Sequence, residues 1–469
     1  MIIRNITRHK DEIAILSSGK EITYRNLEQD VEYISQLLQG IGLLENEPIG
    51  VVFDNSYSFI IWLLACFKQK VPIALLPSYF KKSELYYHMS SLKIRYCVVQ
   101  KEYIDIAVGD MDLHSQFNEY SIFKSHFDDF LVLNPGDLII QFTTGSSADS
   151  KAIVRTEKSV EQEILSLYDY FHIESQKRPI FAPVVPLCHS YGLIGGLLFP
   201  LYFGYSVLLA NPKFIKDAVF KISEHSATHL FATSYIYSKF NEILTKEAVN
   251  LTNLNKCFNA GMPMDIEIAK AFKELTQLTI FQNYGSTETG TMSIGKSDIV
   301  DSPDLGEFIG KAEVIVDQNK DSEKIIGELL LKNEIIDFEY IYPERLNSEK
   351  FTRGFYRTGD IVQVVDNKYY IMGRVDNFIN VAGLKGYAKE ITDTILEIKG
   401  VREAVVVGEE NIISAFVVGN DLSVDAIKMH CKNKLSDYKV PRNVFFVDEI
   451  PKNNIGKILK KYLIKDYGV

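Results

Sequence analysis

The first hundred residues alternate between apolar runs that are typical of buried strands and longer segments with helical spacing of their apolar positions. The predicted strands are Ile49 to Phe53, Val71 to Leu76 and Tyr96 to Val99, and the predicted helices are Ser56 to Lys70 and Lys82 to Ser91. Strands that alternate with helices in this way favour a parallel α/β sheet.

A helix ahead of these elements has both of its ends marked in the sequence. The Thr23 side chain is suited to cap a helix N-terminus, and glycine, as at Gly40, commonly ends a helix. The apolar stripe between them consists of Leu27, Val31, Ile34 and Leu38. We therefore expect an amphipathic helix between Thr23 and Gly40.

A change of pattern near Tyr370 indicates a second domain. A glycine-marked stretch leads into two short apolar strands, Ala404 to Val407 and Ile412 to Val418, and then a helix from Ser423 to about Leu435. The pattern predicts an α/β protein with a large N-terminal domain of several subdomains, residues 1–374, and a small α+β C-terminal domain, residues 375–469. A cleft between two such parts is expected to hold an active site.

The segment from Pro179 to Pro212 contains no charged residue. Its length is sufficient to consider a transmembrane helix. Glycines and a proline interrupt it, so the better prediction is a buried helix that turns at Gly204 into a strand from Tyr205 to Leu209. We expect no membrane span.

Composition narrows the class of protein. The 469 residues carry a net charge of −10, which argues against nucleic-acid binding because phosphate recognition needs a basic face. The five cysteines have no disulfide or metal-ligand spacing, and Met1 to Lys10 is not followed by the apolar core of a secretory signal, so a cytoplasmic location is expected. Basic residues dominate from Lys428 to Lys465, which is either a solvated surface or a docking face for an anionic partner.

A predicted strand beginning at Ile139 leads into a hydroxyl-rich loop that closes on a lysine. Backbone N–H groups and hydroxyls in such a loop can surround phosphate oxygens. The candidate phosphate-binding residues are Thr143, Thr144, Gly145, Ser146, Ser147 and Lys151. The loop is not a Walker A motif, because it lacks the GxxxxGK[ST] pattern.

Two later segments place carboxylates beside other polar groups. Asn283 to Thr289 brings an aromatic ring, a hydroxyl and the Glu288 carboxylate to the end of a predicted strand, where α/β sheets bind ligands. A carboxylate there suits Mg²⁺. Tyr356 to Asp360 is predicted to place a carboxylate after a tight turn, where it could accept hydrogen bonds from two ribose hydroxyls.

Two C-terminal segments complete an ordered set of five. Gly373 to Lys385 reads GRVDNFINVAGLK and is followed by Glu390, and Pro451 to Ile458 reads PKNNIGKI. In this order the five segments resemble the adenylate-forming superfamily of acyl-CoA synthetases, nonribosomal peptide synthetase adenylation domains and firefly luciferase. The resemblance spans most of the chain.

The resemblance implies a nucleotide site. The loop from Thr143 to Lys151 would hold the phosphates of ATP, and Tyr284 would stack on adenine. Asp360 would bind the ribose, and Arg374 would contact ribose or phosphate.

The resemblance also implies a divided catalytic apparatus. Thr287 would contact the α-phosphate, Glu288 would hold Mg²⁺, and Lys457 would bridge ATP and the substrate carboxylate as the catalytic lysine. Once the acyl-adenylate has formed, this lysine would obstruct the thiol, so the C-terminal domain is expected to be mobile. Asp376 would be the hinge, and Gly383 would line the path of the thiol.

The implied pocket for the acid lies beside the apolar segment. Its predicted residues are His189, Ala260, Gly261 and Gly285. His189 would be an aromatic gate, although a lone histidine in an apolar run could equally be a core residue. The glycines at 195 and 196, with Ala260 and Gly261, could line either a flat slot or a longer tunnel. Because this segment offers no acidic partner for an α-ammonium group, an ordinary α-amino acid is not the expected substrate.

The phosphate loop departs from the family pattern. Ala148 and Ala152 stand where relatives have glycine, and Ser150 stands where they have proline. Because alanine resists positive φ, the loop is expected to be stiffer or held differently. The residues with catalytic roles are intact, which favours an active enzyme over a nucleotide-binding pseudoenzyme.

The sequence thus predicts an AMP-forming ligase that activates a fatty or aryl acid with ATP and transfers it to a thiol, with coenzyme A as the preferred acceptor. The alternative is an enzyme that loads the phosphopantetheine of a carrier protein, because both acceptors present the same reactive end and the basic C-terminal stretch suits either. A luciferase-like oxygenase and a pseudoenzyme are more remote alternatives.

Overall fold

The computed structural model describes the chain except for residues 1–2, 4, 6–7, 18, 108–110, 144–150, 172, 174–177, 317–324, 376–377, 382–383, 410–411, 453–457 and 469. The contacts divide the chain into two compact units. Unit 1 comprises residues 1–310 and 332–351, and unit 2 comprises residues 311–331 and 352–469. The units differ from the predicted domains in the assignment of residues 311–331 and 352–374, and the boundary between residues 374 and 375 stays a prediction.

The elements of unit 1 follow the predicted alternation of strands and helices. Its strands are β1 Ile13–Ser17, β2 Lys20–Thr23, β3 Ile49–Phe53, β4 Ile73–Pro77, β5 Tyr96–Gln100, β6 Asp112–Gln116, β7 Tyr120–Lys124, β8 Asp137–Thr143, β9 Lys151–Thr156, β10 Ile180–Pro183, β11 Ser206–Leu208, β12 His229–Ala232, β13 Lys256–Asn259, β14 Ile280–Ser286, β15 Gly290–Ile294, β16 Glu307–Phe308 and, after two strands of unit 2, β19 Phe338–Tyr342. Its helices are α1 Tyr24–Ile41, α2 Tyr57–Gln69, α3 Lys82–Ser91, a 3₁₀ helix Lys101–Ile106, α4 Glu157–Phe171, a π-helix Tyr191–Leu198, α5 Phe199–Phe203, α6 Ile215–Glu224, α7 Ser234–Leu244, α8 Ile266–Thr276 and α9 Leu346–Glu349.

Two large sheets form the framework of unit 1. The first has the strand order β19-β9-β8-β4-β3-β5-β7-β6, and the second has the order β16-β15-β14-β13-β12-β10-β11-β1-β2. In both sheets the central strands are parallel and the edges antiparallel. The predicted parallel arrangement of β3, β4 and β5 is confirmed.

The first helix begins where the sequence predicts but ends at a different residue. The Thr23 side chain accepts a hydrogen bond from the Asn26 N–H, as predicted for an N-cap. The predicted stop at Gly40 was wrong, because the helix continues to Ile41 and ends at Gly42 with a φ of 82°. Ile41 is buried in the core, so the extension by Gly40 and Ile41 gains apolar burial.

The uncharged segment forms the predicted buried helix and strand. The π-helix and α5 lead to Gly204, which has a φ of 80°, and β11 follows. A Cβ at Gly195 would lie 2.8 Å from the Phe231 ring, and one at Gly196 would lie 2.6 Å from Pro183 Cβ. These two glycines therefore pack the helix against the sheet and do not border open space. None of the described helices combines the length and apolar composition needed to cross a membrane.

Unit 2 contains smaller sheets. Its strands are β17 Lys311–Val316, β18 Ile325–Lys332, β20 Phe351–Thr352, β21 Phe355–Val365, β22 Lys368–Arg374, β23 Phe378–Val381, β24 Leu384–Tyr387, β25 Val401–Glu409, β26 Ile412–Gly419 and β27 Asn443–Phe446. Its helices are α10 Ala388–Leu396, α11 Val424–Lys434, a 3₁₀ helix Asp437–Lys439 and α12 Lys460–Tyr467. The predicted C-terminal strands and helix correspond to β25, β26 and α11, and Ser423 caps α11.

Candidate active site

A β-hairpin of unit 1 carries four of the predicted site residues. Tyr284 and Gly285 lie in β14, and Thr287 and Glu288 lie in the turn that leads to β15. A Cβ at Gly285 would lie 2.1 Å from the Gly290 carbonyl oxygen, so only glycine fits where the two strands approach each other. The hairpin therefore holds an aromatic ring, a hydroxyl and a carboxylate within a short, defined piece of backbone.

The turn of this hairpin is closed by reciprocal hydrogen bonds. The Ser286 N–H donates to Thr289 Oγ1 at 3.1 Å, and the Thr289 N–H donates to Ser286 Oγ at 3.2 Å. Tyr284 is partly exposed, and its ring meets Phe308 edge-on with the centroids 6.1 Å apart. A ring fixed in this way is suited to stack on a planar base.

The Glu288 carboxylate is buried and oriented by a tyrosine. The Tyr340 hydroxyl donates to Glu288 Oε1 at 3.1 Å, and only 8% of Glu288 and 1% of Tyr340 are exposed. Mg²⁺ commonly takes one or two protein carboxylates and completes its coordination with water and substrate phosphates. One oriented carboxylate fits that donor set. In the described part of the chain, no group of three or more His, Cys, Asp or Glu side chains could hold a metal ion. A cation at Glu288 would therefore need water and substrate phosphates as further ligands.

The predicted phosphate loop connects two paired strands. Thr143 ends β8, Lys151 begins β9, and the two residues are cross-strand partners. The predicted residues Thr144, Gly145, Ser146 and Ser147, together with the departures Ala148 and Ser150, lie outside the described residues. Ala152 is buried in β9 opposite Phe142. Alanine is well accommodated in a regular strand, so the expected effect on positive φ does not arise at this position.

His189 lies in a turn whose residues form hydrogen bonds with other parts of unit 1. Its Nε2 is 3.0 Å from the Tyr79 hydroxyl. The buried Gln141 side chain donates to the Cys188 carbonyl at 2.9 Å and accepts from Ser190 Oγ at 2.6 Å. Burial lowers the pKa of His189 to about 4, so its imidazole is neutral near pH 7. The residue is partly exposed and therefore does not belong to the fully buried core.

Ala260 and Gly261 follow directly after β13. Ala260 is buried, whereas Gly261 is exposed and has a φ of 84°. The Asn259 side chain donates to the Met262 carbonyl at 3.0 Å and to Gln282 Oε1 at 3.0 Å. The loop is thus fixed to the end of the sheet, and a glycine is favoured where the backbone adopts the left-handed conformation.

Unit 2 brings the predicted ribose residues together. Arg374 Nη1 donates to Asp360 Oδ1 at 2.8 Å, and the two residues are partners in the β21–β22 ladder.

The prediction of a tight turn before Asp360 was wrong. The segment lies within β21, where the pairing with β18 is irregular and Gly359 has a φ of 75°. The segment keeps its strand pairing with β18 and β22 and accommodates the left-handed Gly359 as a β-bulge instead of a turn.

Besides the four residues of the phosphate loop, three further predicted functional residues lie outside the described part of the chain, namely Asp376, Gly383 and Lys457. Lys452 and Ile458, on either side of the segment that contains Lys457, form an isolated antiparallel bridge. The Leu459 N–H also donates to the Pro451 carbonyl at 2.8 Å.

Comparison with known proteins assigns the chain. The family model for the AMP-binding enzyme matches residues 2–336, and that for the AMP-binding enzyme C-terminal domain matches residues 390–457. The chain belongs to the family of AMP-binding enzymes.

Several relatives of this AMP-binding enzyme are ligases. A long-chain-fatty-acid–CoA ligase of Escherichia coli O157:H7 is 24% identical, with 99% of this chain and 93% of that protein covered. A 3,4-dihydroxybenzoate–[aryl-carrier protein] ligase of Bacillus anthracis is 27% identical, with 69% and 73% covered. The structure of an O-succinylbenzoate coenzyme A synthetase of Bacillus subtilis in complex with AMP matches with a TM-score of 0.81 and 18% identity, and covers 98% of this chain and 97% of that one.

These findings confirm three predictions. The adenylate-forming superfamily is confirmed by the family match, and the α/β fold class with a large N-terminal and a small C-terminal domain is confirmed by the structural match. The class of enzyme, an ATP-dependent AMP-forming ligase, is confirmed by the ligases among the relatives.

The basic C-terminal stretch of this AMP-binding enzyme is partly neutralised within unit 2. Three of its lysines form ion pairs with acidic residues from outside the stretch: Lys434 with Glu397 at 2.5 Å, Lys439 with Glu390 at 2.7 Å and Lys452 with Glu403 at 2.6 Å. These pairs reduce the positive charge that is available to a partner, which favours a solvated surface for Lys434 and Lys452, whereas the Lys439 side chain is only 11% exposed.

Sequence analysis missed the polar residues that support the site. Gln141 lies inside the phosphate-loop segment, and a glutamine between apolar residues of a strand is a signal for a buried polar contact. Tyr340 and Tyr79 gave no comparable signal, because each is far along the chain from the residue it contacts.

Proposed function

We propose that this AMP-binding enzyme activates a fatty or aryl carboxylic acid with ATP and transfers the acyl group to a thiol, with coenzyme A as the preferred acceptor. The hairpin of unit 1 carries the proposal, because it holds Tyr284, Thr287 and Glu288 together and fixes the Glu288 carboxylate through Tyr340. This arrangement suits a nucleotide whose phosphates are bound together with a cation.

The proposed first step joins the acid to AMP. A carboxylate oxygen of the acid attacks the α-phosphorus of ATP, and pyrophosphate leaves. Because two anions must approach each other, positioning and neutralisation of charge supply most of the catalysis. Glu288 is proposed to hold Mg²⁺, which would neutralise phosphate charge, and Lys457 is proposed to contact both ATP and the acid.

The proposed second step releases AMP. The thiol sulfur attacks the acyl carbonyl of the adenylate, the bond to the phosphate oxygen breaks, and a thioester forms. Asp376 as the hinge and Gly383 in the path of the thiol belong to this step as proposals. Asp360 and Arg374 are proposed to bind the ribose through both steps.

The proposed class of acid follows from the surroundings of His189. The imidazole is neutral near pH 7 because burial lowers its pKa to about 4, and the segment from Pro179 to Pro212 contains no carboxylate. A substrate ammonium group in contact with this segment would find no anionic partner there, and burying it unpaired would be costly. Fatty and aryl acids carry no such group.

The acceptor has one alternative. The aryl-carrier protein ligase among the relatives supports a carrier phosphopantetheine as the second candidate. Coenzyme A remains the preferred proposal, because the long-chain-fatty-acid–CoA ligase aligns with 99% of this chain, whereas the aryl-carrier protein ligase aligns with 69% of it.

Pyrophosphate exchange into ATP tests the first step. The purified chain is incubated with a panel of fatty and aryl acids, with α-amino acids as the matched negative set. We expect exchange with at least one fatty or aryl acid and none with the amino acids. Binding of ATP without exchange for any acid would contradict the ligase. Mass spectrometry of the product with coenzyme A or a loaded carrier protein then separates the two acceptors.

A further inference from the structure

Tyr340 contacts the Glu288 carboxylate, which is proposed to hold the cation. It lies in β19, which is 52 residues from Glu288 in the chain, yet its hydroxyl donates to Glu288 Oε1 at 3.1 Å. The ring itself is held by packing, with Phe338 edge-on at a centroid distance of 5.4 Å. A buried hydroxyl on a fixed ring gives the carboxylate a defined orientation.

The strand that carries Tyr340 is joined to the phosphate loop. Tyr340 is the ladder partner of Ile153 in β9, and β9 begins at Lys151, the last residue of the predicted loop. The carboxylate and one end of the loop are therefore positioned by two adjacent strands of the same sheet. A change in that sheet would move both.

A buried ion pair holds the same hairpin beside its turn. Glu163 Oε2 accepts from Arg155 Nη1 at 2.7 Å, and Glu163 Oε1 accepts from the Thr291 N–H at 2.7 Å. Arg155 and Glu163 are each no more than 1% exposed. A Cβ at Gly290 would lie 2.1 Å from Glu163 Oε2, so the backbone approaches the carboxylate closely. Because the backbone of the hairpin is fixed in this way, the movement left to Glu288 is mainly rotation of its own side chain.

We infer that Tyr340 is a positioning residue that fixes this rotation and thereby prepares Glu288 to bind a divalent cation with ATP. The inference rests on the proposed role of Glu288. Groups that orient a metal ligand commonly change metal affinity by about 10- to 100-fold when they are removed. Tyr340→Phe removes the hydroxyl and keeps the ring.

Mn²⁺ binding tests the inference without relying on activity. Free Mn²⁺ is measured by electron paramagnetic resonance during titration of the full chain with a non-hydrolysable ATP analogue bound. We expect Tyr340→Phe to weaken Mn²⁺ binding by about tenfold. Affinity for AMP in EDTA should stay unchanged, because the hydroxyl acts on the cation ligand and not on the nucleotide.

Two further variants separate the possible failures. Tyr342→Phe is the matched control, since Tyr342 lies in the same strand and its hydroxyl contacts Tyr87 instead, and it should bind Mn²⁺ as the wild type does. Glu288→Gln should weaken Mn²⁺ binding at least as much as Tyr340→Phe does, while the phosphates of the analogue keep some affinity for the ion. If Glu288→Gln weakens it in this way and Tyr340→Phe stays within twofold of the wild type, the inference is wrong and the proposed function stands.

Two other results would also overturn the inference. An equal loss of AMP affinity in EDTA for Tyr340→Phe would indicate a general loosening of the fold. Unchanged Mn²⁺ binding in Glu288→Gln would refute the proposed role of Glu288 itself, and the role of Tyr340 with it.

Discussion

Glu288 in unit 1 and Asp360 in unit 2 are both carboxylates that are proposed to bind the nucleotide, but their surroundings differ. Glu288 accepts from a buried tyrosine, and its hairpin rests on an ion pair that is no more than 1% exposed. Asp360 pairs with Arg374, whose side chain is 43% exposed. A buried contact fixes a group before any ligand arrives, whereas an exposed ion pair contributes little and can be replaced by a ligand. The difference suggests that the proposed cation ligand is preorganised and that the proposed ribose ligand exchanges partners on binding.

The largest expected effect comes from breaking the buried support of the hairpin. Glu163→Gln leaves the Arg155 charge buried without its partner, which should lower the free energy of unfolding by about 3 to 5 kcal/mol. Urea titration followed by fluorescence measures the change. Lys296→Ala is the matched control, because it breaks the exposed pair with Glu307 and should cost no more than about 1 kcal/mol. Similar losses in the two variants would contradict the contrast between buried and exposed contacts.

Removal of the predicted catalytic lysine should affect one reaction step and not the other. Lys457→Ala takes away a positive charge that is proposed to act on the adenylation transition state, so pyrophosphate exchange should fall by about 10²- to 10³-fold. Thioester formation from a supplied acyl-adenylate should remain. Lys465→Ala, an exposed lysine of unit 2, serves as the control and should retain both activities. Equal loss of both steps in Lys457→Ala would refute its proposed role.

A smaller effect is expected at the ribose carboxylate. Asp360→Ala should raise the KM for ATP by about tenfold, since hydrogen bonds to a charged group contribute about 1.5 to 3 kcal/mol. Because the pair with Arg374 is partly exposed, stability should change by less than about 1 kcal/mol. Steady-state kinetics and thermal unfolding measure the two quantities, with Asp393→Ala on the surface of unit 2 as the control. A large loss of stability with an unchanged KM would reverse the contrast drawn above.

The remaining effect concerns the pH dependence of stability. Burial lowers the pKa of His189 to about 4, while the unfolded chain keeps the ordinary value near 6.5, so the unfolded state binds more protons between these values. Stability should therefore fall as the pH drops from about 6.5 to 4, by at most about 1.4 kcal/mol per pH unit from this residue. Unfolding titrations of His189→Gln should show a shallower fall. An identical slope in wild type and variant would exclude this contribution from His189.

Local patterns predicted the elements that depend on local interactions. The Thr23 cap and the strands β3 to β5 were found because a capping side chain and a run of apolar residues carry their own signal. The end of the first helix was missed, since burial of Ile41 against distant residues decided it. The supposed turn before Asp360 failed for the same reason, because strand pairing across the sheet overrode the local preference.

Recognition of motifs located candidate site residues but not their supports. Thr287 and Glu288 stand in a segment whose residue order resembles a known family, so their roles could be predicted. The contact of Tyr340 with Glu288 and that of Glu163 with Thr291 join distant parts of the chain. No periodicity or motif records such pairs, because they arise only when the sheet brings the strands together.

The contacts of Gln141 have a consequence for redesign of the enzyme. Its amide joins the turn around His189 to the strand that enters the phosphate loop. A turn transplanted from a relative would lose this anchor unless it carried a hydroxyl at position 190 and the recipient strand kept glutamine at position 141. Libraries that vary the proposed acid pocket should therefore keep these two residues together.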